Sequence, residues 1–154
     1  MKSSPEPTRR ALLLDANVLS RLARVHQTDV LSKAFPAGCY LAPTIYHEIE
    51  AGVEVGVEYL KEVIALVKQE QLQILSITGE DREYIASLPR KLGLGEAERI
   101  ALCRRLDMVF VTHDRKAANF CDRAGVRCVH FRTLVDGLQR RGPLTPEEAR
   151  QALE

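Results

Sequence analysis

Apolar residues along this chain fall into two kinds of run that alternate from one end to the other. Short continuous runs, Ala11-Leu12-Leu13-Leu14, Cys39-Tyr40-Leu41-Ala42, Met108-Val109-Phe110-Val111-Thr112 and Val126-Arg127-Cys128-Val129, read as strands, the first of them buried on both faces as in a parallel sheet. Residues 72–77 partly alternate and predict one more. Between these runs the apolar positions recur at helical spacing. Val18, Leu19, Leu22 and Ala23 predict a first helix, which Asn17 can cap, and residues 30–35 a short second piece. Pro43 suits the first turn of a helix reaching about Gly52, and residues 55–69 carry a broad apolar face. Further helices are expected over 80–88, 96–106, 115–124, 131–139 and 145–153. Gly125 supplies a stop for the 115–124 helix, and Thr145 with Glu148 a capping box for the last. This alternation predicts an α/β fold with a central, mainly parallel sheet flanked by helices.

Composition narrows the class without identifying it. A chain of 154 residues, 45% hydrophobic and 28% charged, is expected to form one domain over 11–154 behind a polar lead-in at 1–10. A net charge of +1 excludes an overall basic field, so a nucleic-acid partner would be gripped by local pairs such as Arg104-Arg105, Arg115-Lys116 and Arg140-Arg141. No apolar run approaches the ~20 residues of a membrane span, and the amino terminus lacks a secretory pattern. Cys39, Cys103, Cys121 and Cys128 show no C-x-x-C spacing, which favours buried free thiols and a reducing, cytoplasmic setting over disulfides or zinc.

The candidate chemistry lies in the acids. Two strands run into aspartates, Asp15 and Asp114, and parallel strands joined by helical crossovers share one carboxyl edge. That edge is where open α/β sheets place ligands. The plainer role for Asp15 or Asn17 is to cap the following helix. Glu48 falls in the second turn of the helix begun by Pro43, within reach of the same edge. Glu96 shares a stripe with Ile100 and Cys103 and is expected beside buried surface, whereas Glu98 shares one with Leu102 and Arg105 and is expected on a more solvated line. Glu96 is therefore the preferred cleft acid, although its place in a first helical turn also suits the helix dipole. Acids gathered in one cleft repel one another unless a cation neutralises them. With no convergent His or Cys, oxygen ligands point to Mg²⁺ or Mn²⁺, a setting that suits phosphodiester chemistry.

The set Leu12-Leu13-Leu14-Asp15-Ala16-Asn17, Ala42-Pro43-Thr44-Ile45-Tyr46-His47-Glu48, Gly95-Glu96-Ala97-Glu98-Arg99-Ile100-Ala101 and Val109-Phe110-Val111-Thr112-His113-Asp114 resembles the PIN-domain nucleases, nearest to the toxins of VapBC-type toxin–antitoxin pairs. The four motifs stand in family order over roughly residues 11–131. The resemblance implies a three-layer Rossmann-like fold and a metal-dependent endoribonuclease. It maps the acids to Asp15, Glu48, Glu96 and Asp114, with Glu98 a further metal candidate, and gives Asn17 and Thr112 orienting roles. It also implies Mg²⁺ or Mn²⁺ as cofactor, an RNA substrate, a cognate antitoxin and a homodimer. The sequence departs from the toxins at the third acid, usually aspartate, where Glu96 is followed by Glu98. Two other readings stand beside it: an RNA- or protein-binding module with little catalysis, and a haloacid-dehalogenase-like phosphatase. The second is disfavoured because Asn17 replaces that motif's second aspartate. His47 and His113 are expected to face outward or pack, and Tyr40 and Tyr46 to serve the core.

Overall fold

The computed structural model describes residues 10–154, so the expected lead-in lies outside the described residues except for Arg10. Leu12–Leu14 forms β1, and all three leucines are fully buried, as expected of a central strand with helices on both faces of the sheet. Cys39–Leu41 (β2) pairs with it on one flank and Val109–Thr112 (β4) on the other, both parallel. Gln73–Ile74 (β3) and Cys128–His130 (β5) complete a five-stranded parallel sheet in the order β3-β2-β1-β4-β5.

Helices connect the strands: α1 (Ala16–Arg24), α2 (Val30–Ala34), α3 (Pro43–Glu54), α4 (Lys61–Lys68), α5 (Gly79–Ser87), α6 (Leu94–Leu106), α7 (Arg115–Arg123), α8 (Phe131–Arg141) and α9 (Pro146–Leu153). The path β1-β2-β3 runs one way across the sheet, and after a long crossover β4-β5 runs the other way. Right-handed crossovers then put the helices of the two halves on opposite faces, giving three layers. Consistent with this, α1 packs with α3 and α4, while α6 and α7 pack on β4; the last helix, α9, crosses back to pack on α1.

Several local expectations need correction. Asp15, not Asn17, caps α1, its carboxylate accepting from the Ala16 amide. The helix expected over 55–69 is broken: Gly56 has φ 99°, Val55 is 81% exposed, and a 3-10 turn at Glu58–Leu60 precedes α4. Leu60, Val63 and Leu66 are buried, so part of that apolar face serves the core. The strand expected over 72–77 is reduced to two residues, both exposed at the sheet edge. Tyr40 and Tyr46 are half-buried and pack against the core rather than within it.

The helix bearing the glutamate pair, α6, is fastened at its carboxyl end. Thr78 and Asp81 form a capping box at the start of α5, and Asp81 also accepts from Arg105 Nε of α6 at 2.8 Å. Just beyond Arg105, α6 closes through Asp107 in the left-handed region.

Candidate functional site

Register brings the first two site residues together. Leu14 pairs with Val111, so the residues that follow each, Asp15 and Thr112, leave adjacent strands at the same edge. This is the point where strand order reverses, the crevice that open parallel sheets use for ligands. Asp15 is buried, 7% exposed, and Thr112 fully so. The Thr112 hydroxyl donates to Asp15 Oδ2 at 2.7 Å and accepts from the Asp114 amide at 3.1 Å. Asn17 spans the same two loops: its Nδ2 lies 3.5 Å from Asp15 Oδ2, and its Oδ1 accepts from the His113 amide at 3.1 Å. A threonine and an asparagine thus lock the ends of β1 and β4 to each other.

Asp15 Oδ1 accepts from Ala16 N at 2.9 Å and from Arg99 Nη1 at 3.1 Å. Arg99 comes from α6 and lies over the Phe110 ring, 5.4 Å from its centroid. Glu48 projects from the second turn of α3 and is exposed. Burial by its neighbours nevertheless pushes its carboxyl above the ordinary value; Arg99 opposes that push and Asp15 reinforces it. Those two influences place Glu48 within electrostatic reach of the Asp15–Arg99 pair.

The remaining acids behave differently. Asp114 is exposed and caps α7, with Oδ1 accepting from Lys116 N at 2.9 Å. Glu96 is exposed on the first turn of α6, where it lines a small cleft with Arg99, Phe110 and Cys121. Glu98 is buried, and its Oε1 accepts from both the amide and the hydroxyl of Thr44 at the start of α3. This reverses the burial expected from the helix wheel. Because α6 is buried on nearly all sides, shared stripes with apolar residues do not distinguish its faces.

His47 is exposed, as expected. His113 packs at 5.0 Å from the His130 ring and edge-on to Phe131. Burial, together with the charges of Arg21, His130 and Arg132, lowers its pKa. The cysteines are free thiols, with Cys39, Cys103 and Cys121 buried.

The sequence reading missed Arg99. Its one signal is a lone cation inside the run Ala97-Glu98-Arg99-Ile100-Ala101-Leu102, whose other members are all buried. As arranged, the donor set does not fit a divalent ion. Asp15 is already bonded by four groups, one of them a guanidinium, and Glu98 is turned to Thr44. Among the described residues, no three His, Cys, Asp or Glu side chains are gathered closely enough to hold a metal.

These features define an α/β protein with a buried carboxylate at the topological switch point of a parallel sheet. The chain belongs to the PIN-domain family, whose model matches residues 11–154. Among solved structures, VapBC2 from Rickettsia felis bound to a promoter DNA fragment matches with a TM-score of 0.59 at 13% identity, covering 78% of this chain and 98% of that one. A Pyrobaculum aerophilum protein matches with a TM-score of 0.58 at 17% identity, covering 86% and 98%. A PilT N-terminus domain protein from Sulfolobus solfataricus P2 matches with a TM-score of 0.54 at 12% identity, covering 82% and 92%. At such identities these structures share the fold. No protein among the curated sequences matches the chain. PIN-domain proteins are generally nucleases that use divalent metals. No described helix is long and apolar enough to cross a membrane.

Proposed function

We propose that the chain is an endoribonuclease that hydrolyses RNA phosphodiester bonds with Mg²⁺ or Mn²⁺, acting as the toxin of a toxin–antitoxin pair. The observation that carries this reading is the Asp15 carboxylate, buried at the switch point and aimed by Thr112 and Asn17. Glu48 is the second acid of the crevice, and Asp114 with Glu96 or Glu98 are the further acids assigned by the family pattern. Arg115 and Lys116, exposed in the first turn of α7 beside Asp114, are placed to hold the RNA backbone. The same reading includes a cytoplasmic location, a homodimer and an antitoxin partner, the last by analogy with the toxin–antitoxin assembly seen in VapBC2.

The test is cleavage of a mixed RNA panel by purified protein with Mg²⁺, Mn²⁺ or chelator, beside Asp114→Asn. Asparagine caps helices as well as aspartate does, so this variant keeps α7 and removes one charge. Cutting that needs metal and falls at least about tenfold in the variant is expected if that acid contributes directly to catalysis. The second reading, a binding module without catalysis, is favoured by the guanidinium lodged against Asp15. RNA retained in a gel shift but left intact under every metal condition would establish it instead.

A further inference from the structure

Helix α1 buries one face and turns the other outward beside the crevice. Val18, Leu19, Leu22 and Ala23 are buried. Asn17, Ser20, Arg21 and Arg24, at i, i+3, i+4 and i+7, form a second stripe. With Glu154 they line an open pocket of about 240 Å³. It starts at Asn17, which already joins the ends of β1 and β4, and follows the helix for about 10 Å.

Two guanidiniums in this pocket hold oxygen atoms. Arg21 Nη1 donates to the Leu153 carbonyl at 3.1 Å, and Arg24 Nη2 to the Gln151 carbonyl at 3.2 Å. Each bond uses one of the five N–H donors that a guanidinium carries. The acceptors belong to the last turn of α9, the end where a helix presents unpaired carbonyls and partial negative charge. The Glu154 carboxylate lines the pocket beside them. Helix α9 thus lays oxygens and negative charge against a pair of arginines, as a phosphodiester would in its place.

The basic character continues around the crevice. The charges of Arg21 and of Arg132, exposed on α8, both act on His113 beside Asp114, and Arg115 and Lys116 are exposed just after that acid. Other arginines are engaged elsewhere: Arg105 bonds Asp81, and Arg104 lies 4.1 Å over the Tyr84 ring. A chain with a net charge of only +1 therefore gathers cations from α1, α7 and α8 around one site.

We propose that Asn17, Ser20, Arg21 and Arg24 form a phosphate subsite that holds the RNA backbone beside the acid crevice, with the carboxyl end of α9 as its resident anion mimic. The proposal takes RNA as ligand from the nuclease reading and does not require that the RNA be cut. Guanidinium meets the phosphate charge directly, so binding here needs no divalent cation. A backbone seated on α1 leads toward Asn17 and Asp15. Such contacts fix position and carry no base specificity.

The test is fluorescence anisotropy of a labelled short single-stranded RNA, with chelator present so that nothing is cut, on the full chain. Wild type is compared with R21Q, R24Q, E154Q and K68Q. Lys68 is the charge control, exposed at the end of α4 where the chain heads for the amino end of β3, opposite the crevice. R21Q and R24Q are each expected to weaken binding about threefold to fivefold, as a partly exposed ion pair allows. Each should also reduce the slope of log K against log salt by about 0.7, one phosphate contact on a single strand. E154Q should tighten binding about twofold, and K68Q should leave it unchanged. The proposal is overturned if wild type binds no RNA, if it binds the same sequence tighter as DNA, or if the arginine variants lose no more than K68Q. A fall in Tm with unchanged RNA affinity would likewise leave Arg21 and Arg24 as mere supports of α9. Should R21Q not fold, R24Q and E154Q, changed at exposed positions, decide by the sign of their effects. RNA held through these arginines but left intact in Mg²⁺ and Mn²⁺ would sink the nuclease reading and keep this one. Cleavage by a protein whose affinity ignores Arg21 and Arg24 would do the reverse.

Discussion

Replacing Thr112 by valine removes one hydroxyl from the point where the two central strands are tied together. That hydroxyl is fully buried, donates to Asp15 at 2.7 Å and accepts from the Asp114 amide at 3.1 Å. Valine has nearly the same shape, so the change leaves no cavity and isolates the polar term. A hydrogen bond to a charged group contributes about 1.5–3 kcal/mol. The Asp114 amide belongs to an exposed residue and can turn to water, adding little more. The expected loss is therefore about 2–3 kcal/mol, which for a chain of this length lowers Tm by roughly 4–12 °C. Urea and thermal unfolding followed by circular dichroism would measure both. Thr112→Ser is the control: it keeps the hydroxyl, deletes one methyl and should cost about 1 kcal/mol. A Thr112→Val protein within about 0.5 kcal/mol of wild type, or a serine variant that loses as much as valine, would show that the hydroxyl does not hold Asp15 in place.

Substitutions at two further positions test the supports of α3 and α5. Glu98→Ala leaves the Thr44 amide and hydroxyl without their acceptor and should cost about 1–3 kcal/mol in urea unfolding. Glu98→Gln, which keeps a carbonyl oxygen in place, should lose about 1 kcal/mol or less, and equal losses in the two would refute a capping role. For Asp81, burial alone would raise the carboxyl, but Arg105 and Thr78 hold it below the ordinary value of 3.8. A depressed folded-state value means the contribution is complete above 3.8 and disappears as pH falls through the folded value. Tm should therefore drop more steeply on acidification from pH 5 in wild type than in Asp81→Asn, and parallel curves would contradict the assignment.

The parts of the fold legible in the sequence were those whose burial is uniform. β1 and β4 are central strands of a sheet covered by helices on both faces, so they read as unbroken apolar runs, and the acids at their ends marked the shared edge. β3 contributes two exposed residues to the sheet, so the partial alternation over 72–77 overstated its length. The misjudged helix at 55–69 has a different cause. Its apolar residues do recur at helical spacing, but Gly56 turns the chain at positive φ and frees Val55 into solvent. Periodicity measures which side chains can share a face and is silent about whether the backbone is continuous between them.

The same limit governs the site. Asp15, Asn17 and Thr112 were readable because each sits within three residues of a strand end, where register alone fixes the neighbour. Glu96 and Glu98 were not, because α6 buries residues in all directions and its wheel has no outer face to contrast with an inner one. What orients α6 is polar: Glu98 is pinned to Thr44 on α3, Arg99 to Asp15 on β1's edge, and Arg105 to Asp81 on α5. Three elements, β1, α3 and α5, are thereby tied to one helix by its charged side chains. The consequence is a coupling that apolar packing would not create. Asp15 and the helix that carries Glu48 are therefore both tied to α6 by polar contacts.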